Sequence, residues 1–393
     1  MPVRPDEHRL LLMKRYLALM AAFAALSCSP AADDTFWVGA DISGITGMEK
    51  MGEAVYGFEG DEPVETTALM KDLGCNAVRL RVWVDPPAFG PHGLESAPVQ
   101  EGDHRGLCDK YDVLEQALRA RRLGMEVMID FHYSDWWADP KKQPIPRSWM
   151  GHDYDRMRQD LKDHTVDVLS LLKDNGVCPK WVQVGNETRN GLLWNIVTNE
   201  FGWEQLDADG NVTVLEHMGR SDTDPEQYAG FLDAGYEAVK SVLPDAVVIV
   251  HLDNGYDSAM YDWNLGILEK YGTRYDMVGM SLYPYWAARE GGRADADGVI
   301  ADCMANVQHV WERFGKESMI VETGVSVDES DPSVMAESVR QMALIMSSAR
   351  ASEHCHGVFY WNPTCRPSGG YSLGAFGSDG RPTAIMSAFT GRR

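Results

Sequence analysis

The chain has 393 residues, enough for one large domain or two ordinary ones and for a sizeable buried core. Its 59 acidic against 36 basic residues leave a formal charge of -23, which argues against nucleic acid or any other polyanion as the principal ligand. Twelve tryptophans and fifteen tyrosines suit a protein that stacks flat apolar faces such as sugar rings, although core packing accounts for most rings in any domain.

Residues 1–29 stand apart from the rest. Met13-Lys-Arg-Tyr followed by an apolar run from Leu17 to Leu26 has the charged start and short core of a secretory signal, too short for a permanent span. Met13 is therefore the expected start of translation. The run ends in Ser27-Cys28-Ser29, which resembles a bacterial lipobox with Cys28 as the lipid-bearing first mature residue, although Ala25 stands where Leu is usual. The expectation is an exported, lipid-anchored protein of the cell envelope or outer membrane, its membrane contact made only through that lipid, with a periplasmic or secreted form as the alternative. Residues 30–35 read as a short polar tether. Six further cysteines permit disulfides, but none is close-spaced and none has zinc-ligand spacing.

From residue 36 onward strand-like and helix-like segments alternate to the end. The expected strands cover 36–43, 77–83, 126–134, 181–187, 246–254, 277–283, 318–323 and 357–362. Helical patterns lie between them at 63–73, 110–123, 155–175, 225–243, 260–271, 297–314 and 332–352, with a closing helix at 383–389. Eight such units in one chain of this size predict the α/β class and a single-domain (β/α)8 TIM barrel over 36–393. Helix-to-strand links are brief and carry stop signals, as at Leu73-Gly74, Leu123-Gly124 and Phe314-Gly315. Strand-to-helix links are long at 84–109, 135–153 and 188–224. Length has thus been added to one face only, the face on which barrel active sites are built.

The strand tips are nearly all polar or aromatic. Strand 1 ends in Asp41-Ile-Ser43, strand 2 in Arg79-Leu-Arg81-Val-Trp83, and strand 3 in Asp130-Phe-His132-Tyr-Ser-Asp135-Trp136-Trp137. Strand 4 offers Asn186-Glu187, strand 5 His251-Leu-Asp253-Asn254, strand 6 Tyr283-Pro-Tyr285-Trp286, strand 7 Glu322 and strand 8 Tyr360-Trp361. Strands 4 and 7 face each other across an eight-stranded mouth, so Glu187 and Glu322 can aim at one point. Hydrolysing an acetal needs such a pair, one acid for the leaving oxygen and one carboxylate for the developing cation, and a separation of about 5–5.5 Å would let the second attack. In that scheme Asn186 bonds the sugar 2-hydroxyl, Arg81 keeps one carboxylate ionised, Tyr283 orients the other and Trp361 floors the ring.

Together, Gly39-Ala-Asp41-Ile-Ser43, Arg79-Leu-Arg81-Val-Trp83-Val-Asp-Pro86, the run from Asp130 to Pro140, Val184-Gly-Asn186-Glu187, Ser281-Leu-Tyr283-Pro-Tyr285 and Phe359-Tyr-Trp361 resemble glycoside hydrolase family 53, the endo-β-1,4-galactanases. That resemblance implies Glu187 as acid/base, Glu322 as nucleophile and the β-1,4-galactan of pectin as substrate. Asp41, His132, Asp135, Trp136 and Trp286 are then expected to contact the sugar chain. It implies a monomer that needs no cofactor. Two stretches depart from the family pattern. Gly324-Val-Ser-Val-Asp328 replaces an aromatic continuation after the nucleophile, and the loop after strand 8 lacks the Trp-Asp-Asn that helps bacterial relatives bind a structural calcium. Asp328 and Asp331 remain as the carboxylates that could supply oxygens to such an ion.

Three other readings compete. A retaining endo-glycosidase of the same barrel clan, mannanase- or xylanase-like, would share both acids. A non-catalytic glycan-binding lipoprotein would not need them. A barrel metallohydrolase could use Asp130, His132, His251 and Asp253, but it would be expected to carry a His-x-His pair on strand 1, where Asp41-Ile-Ser43 stands.

Overall fold

The computed structural model describes residues 35–86, 102–199, 204–209, 211–367 and 371–392; the expected signal, Cys28 and the tether up to residue 34 lie outside them. Eight parallel strands close a barrel in chain order: β1 (Trp37–Asp41), β2 (Ala77–Val82), β3 (Glu126–Phe131), β4 (Trp181–Val184), β5 (Val247–Leu252), β6 (Met277–Leu282), β7 (Glu317–Thr323) and β8 (Cys355–Trp361), which pairs back onto β1. Helices at Thr66–Leu73, Lys110–Arg122, Tyr154–Asp174, Pro225–Val242, Ser258–Tyr271, Ala296–Phe314 and Pro332–Ala351 link successive strands, and Ala384–Thr390 closes the chain. The expected (β/α)8 TIM barrel is the fold.

Acidic side chains cap many of these helices: Glu65, Asp109, Asp153, Asp257, Asp295 and Asp331 each accept backbone N–H bonds from the first turn. Each cap satisfies donors that a helix start leaves orphaned and sets a negative charge against the positive end of the helix dipole. Part of the acidic excess is thereby absorbed into the fold. Two short helices, Ile45–Lys50 after β1 and Pro284–Arg289 after β6, escape the sequence reading because neither is long enough to show a period. A small hairpin of Asn195–Ile196 with Val214–Glu216 lies in the long excursion after β4.

Side-chain alternation along the strands builds the interior in layers. Trp37, Ala77, Met128, Trp181, Ile249, Met277, Met319, Val321 and Phe359 form an apolar cluster of their own, separate from the larger core between strands and helices. Gly39 leaves room for the Phe359 ring, since a Cβ there would sit 2.1 Å from it. Two residues further along each strand the same inward face becomes polar: Arg79 follows Ala77, Asp130 follows Met128, Gln183 follows Trp181 and His251 follows Ile249. On β7 the register slips against both neighbours between Ile320 and Thr323, a bulge that lets Val321 join the apolar floor while Glu322 also turns inward.

Several expected strands run past the observed ones, for a common reason. The predicted ends at 134, 187, 254 and 362 shorten to Phe131, Val184, Leu252 and Trp361. Just beyond each, a non-glycine residue takes the left-handed conformation: Tyr133, Glu187, Asn254 and Asn362. These turns leave the ladder early, at a cost of about 1–3 kcal/mol each that the surrounding packing must hold; those at Glu187 and Asn254 bring side chains to the mouth, whereas Tyr133 packs outward against Thr165.

Candidate active site

Arg79 is the centre of the polar layer. Its guanidinium, 1% exposed, meets Asp41 at 2.7 Å, Asp130 at 2.9 Å and Glu322 at 2.9 Å, and donates also to Gln183 at 2.7 Å and to the Asn186 carbonyl oxygen at 2.9 Å. Burial works against the charge, but the surrounding carboxylates hold the guanidinium protonated. Asp130 is likewise pressed upward by burial and held below its usual range by Arg79 and His132.

Glu322 accepts from Arg79 and from the Tyr283 hydroxyl at 3.1 Å. Glu187 sits across the mouth on the turn after β4, with Gly185 and Glu187 itself at φ of 85° and 47°. Its Oε1 accepts from the Ser281 hydroxyl at 2.6 Å, and its backbone N–H donates to His251 Nδ1 at 3.3 Å. Burial, then the charge of Glu322, then that of Asp253 push the Glu187 carboxyl well above its ordinary range. Burial raises Glu322 as well, with Arg79 and Tyr283 pulling the other way. Arg79 opposes the rise at Glu322, whereas the neighbouring charges of Glu322 and Asp253 add to it at Glu187, so the acid form is favoured more at Glu187.

Both acids line a cleft of about 490 Å³, a volume within the range of about 300–1,000 Å³ usual for small-ligand sites. Of the residues expected to contact sugar, His132, Asn186, Tyr283, Trp286 and Trp361 line it, joined by Trp137, Asp253, Arg189, Tyr256 and Tyr371. Asn186 is oriented by its own bonds, its amide donating to the Ala138 carbonyl at 2.8 Å while its oxygen takes Arg79. His132 accepts from the Ala138 N–H and faces Asp130 at 3.1 Å.

Other expected residues lie outside this lining. Arg81 pairs with no carboxylate among the described residues, and the ionising role expected of it falls to Arg79. It lies one layer nearer the rim than Arg79, with its guanidinium 3.9 Å from the Trp137 ring centre and 4.7 Å from that of Trp83, and donates to Cys108 Sγ. Asp41 lies beneath the cleft in the Arg79 ion pair, and its other oxygen accepts from Ser43. Asp135 accepts from the backbone of Asp85 and Arg147 and so pins two loops together. Trp136 stacks on the buried Trp83 at 5.2 Å. Asp328 and Asp331 are engaged locally, the first by Ser330 and the second as a helix cap. Among the described residues no group of three or more His, Cys, Asp or Glu is arranged to hold a metal ion, and the six cysteines are free thiols. The sequence offered His251 as a strand tip and a possible metal ligand and Ser281 only within a family motif; alternation places Ser281 directly against the Glu187 carboxyl and His251 behind Ser281, and that spacing is the signal that could have found them.

Comparison with known proteins bears on this arrangement. The family model described as Glycosyl hydrolase family 53 matches residues 37–389. The Endo-beta-1,4-galactanase of Bacillus subtilis (strain 168) is 26% identical over 352 residues, covering 85% of this chain and 71% of the relative. The Arabinogalactan endo-beta-1,4-galactanase of Thermothelomyces thermophilus is 28% identical over 345 residues, covering 83% of this chain and 88% of the relative. Among solved structures, the Ignisphaera aggregans GH53 catalytic domain superposes with a TM-score of 0.72 at 24% identity, covering 93% of this chain and 98% of that one. A fungal β-1,4-galactanase structure gives 0.70 at 24% identity, covering 89% and 98%. At these identities the structural likeness speaks for the fold.

Proposed function

Because the chain belongs to glycoside hydrolase family 53, we propose that this enzyme is an endo-β-1,4-galactanase that cuts the galactan side chains of pectin with retention of configuration. The observation that carries this reading is the unequal setting of two carboxyls in one cleft, Glu322 held by Arg79 and Tyr283, Glu187 bonded by Ser281 and kept protonated by burial. Glu187 gives its proton to the glycosidic oxygen as Glu322 attacks the anomeric carbon. The carbon–oxygen bond breaks, the leaving chain departs with that proton, and a glycosyl ester forms on Glu322. Glu187, now a carboxylate, takes a proton from water as the water attacks the same carbon and frees Glu322. The galactanase names of the relatives at 26% and 28% identity support the choice of substrate.

The test is digestion of galactan, mannan, xylan and arabinan by the wild type and by Glu187→Ala and Glu322→Ala. Short galacto-oligosaccharides from galactan, first seen as the β-anomer, are expected, with losses on the order of 10³-fold in either variant. Undiminished activity in the variants would refute the mechanism, and a preference for mannan or xylan would refute the substrate.

A further inference from the structure

Behind Glu187 stand two buried side chains whose hydrogen bonds run in one of two directions, set by the tautomer of His251. His251, fully buried on β5, has Nε2 2.9 Å from Ser281 Oγ, and Ser281 on β6 donates to Glu187 Oε1 at 2.6 Å. Burial, reinforced by Arg79, keeps the imidazole neutral, so it carries a single ring proton. Nδ1 faces two groups with opposite demands: the Glu187 backbone N–H, which can only donate, and Asn186 Oδ1 at 3.1 Å, which can only accept. Asn186 cannot be turned to relieve this, because Ala138 O and Arg79 fix its two ends.

Each tautomer then dictates a different acid. With the proton on Nε2, the imidazole donates to Ser281, Ser281 donates to Oε1, and Nδ1 receives the Glu187 N–H. The proton of the acid form must then reside on Oε2, the oxygen left for the cleft. With the proton on Nδ1, the unprotonated Nε2 needs the Ser281 hydrogen, and Oε1 must itself carry a proton turned back toward Ser281, where it cannot reach a leaving group. Asn186 Oδ1 already takes Arg79, which lessens its need for the histidine proton. We propose that Ser281 and His251 form a positioning pair that holds His251 as the Nε2–H tautomer and thereby confines the catalytic proton of Glu187 to Oε2. The proposal rests on the reading of Glu187 as acid/base.

The pair also sets how readily Glu187 gives the proton up. Glu322 on β7, Asp253 just past β5 and Asp139 beyond β3 all disfavour its ionised form, and the Ser281 hydrogen bond favours it. Around His251 the charged groups are Arg79 on β2 and Asp130 on β3, with His132 just past that strand. Removing the Ser281 hydroxyl takes away the donor to the carboxylate, so the acid form persists to higher pH.

The experiment measures kcat/KM against pH on a galacto-oligosaccharide for wild type, Ser281→Ala, Ser281→Thr and Glu187→Ala, and records ring nitrogen shifts of ¹⁵N-histidine-labelled wild type, with His251 assigned from His251→Gln. Ser281→Ala should move the alkaline limb up by about one pH unit, the size expected for one hydrogen bond to a charged group, and Ser281→Thr should restore it. The wild-type His251 ring should be protonated at Nε2 from pH 5 to 8. An Nδ1–H ring overturns the proposal without recourse to any variant, as does an alkaline limb left in place in an active Ser281→Ala enzyme. Full activity in Glu187→Ala would instead sink the acid/base reading beneath it.

Discussion

A guanidinium carries five donors in one plane and can serve several acceptors at once. Arg79 uses that capacity on Asp41, Asp130 and Glu322, none of which has another arginine or lysine within ion-pair distance among the described residues. Arg79→Met should therefore lower stability by about 3–5 kcal/mol in urea unfolding, because it strands buried carboxylates. Arg79→Lys should fold but lose on the order of 10²-fold in kcat/KM, since a point charge cannot keep the fork on Glu322. Arg81→Met should be far milder; the reverse ranking would return the ionising role to Arg81. The sequence made Glu187 and Glu322 legible because each ends an apolar run abruptly. It could not separate Arg79 from Arg81, since both share one strand face and only depth in the barrel decides which meets Glu322.

At the scale of the elements, strands announced themselves through apolar runs and helices through their 3.6-residue period, and both were placed to within a few residues. What stayed hidden depends on neighbours in space. The β7 bulge leaves no mark in Met319-Ile-Val-Glu322, yet it brings two successive side chains, Val321 and Glu322, to the interior. The seam of β1 and β8 is a second case, where Gly39 exists for the sake of a ring 320 positions away in sequence. Gly39→Ala should cost about 1–3 kcal/mol by overpacking against Phe359, read as a drop in the denaturation midpoint. An unchanged midpoint would mean that the ring can swing aside.

For the molecule as a whole, alternation of strands and helices and the one-sided lengthening of loops point to the face that carries the cleft. The metallohydrolase alternative gives way to the family match over residues 37–389; in the barrel, Asp130 and His132 face each other and His251 is tied to Ser281. The layer around Arg79 has a further consequence. Asp41, Asp130 and Glu322 surround one cation, Glu187 and Asp253 stand near it, and the other cations lining the cleft, Arg189, Lys141 and Lys142, are each paired with a carboxylate, so carboxyl groups outnumber cations there. On the proposed function, this excess of carboxyl groups would meet the positive charge that a sugar ring acquires midway through hydrolysis. A ring-nitrogen sugar mimic, protonated at neutral pH, should bind more tightly in calorimetry than the neutral sugar of the same shape. Equal affinities would mean that the electrostatic tension built into the barrel is discharged somewhere other than on the substrate.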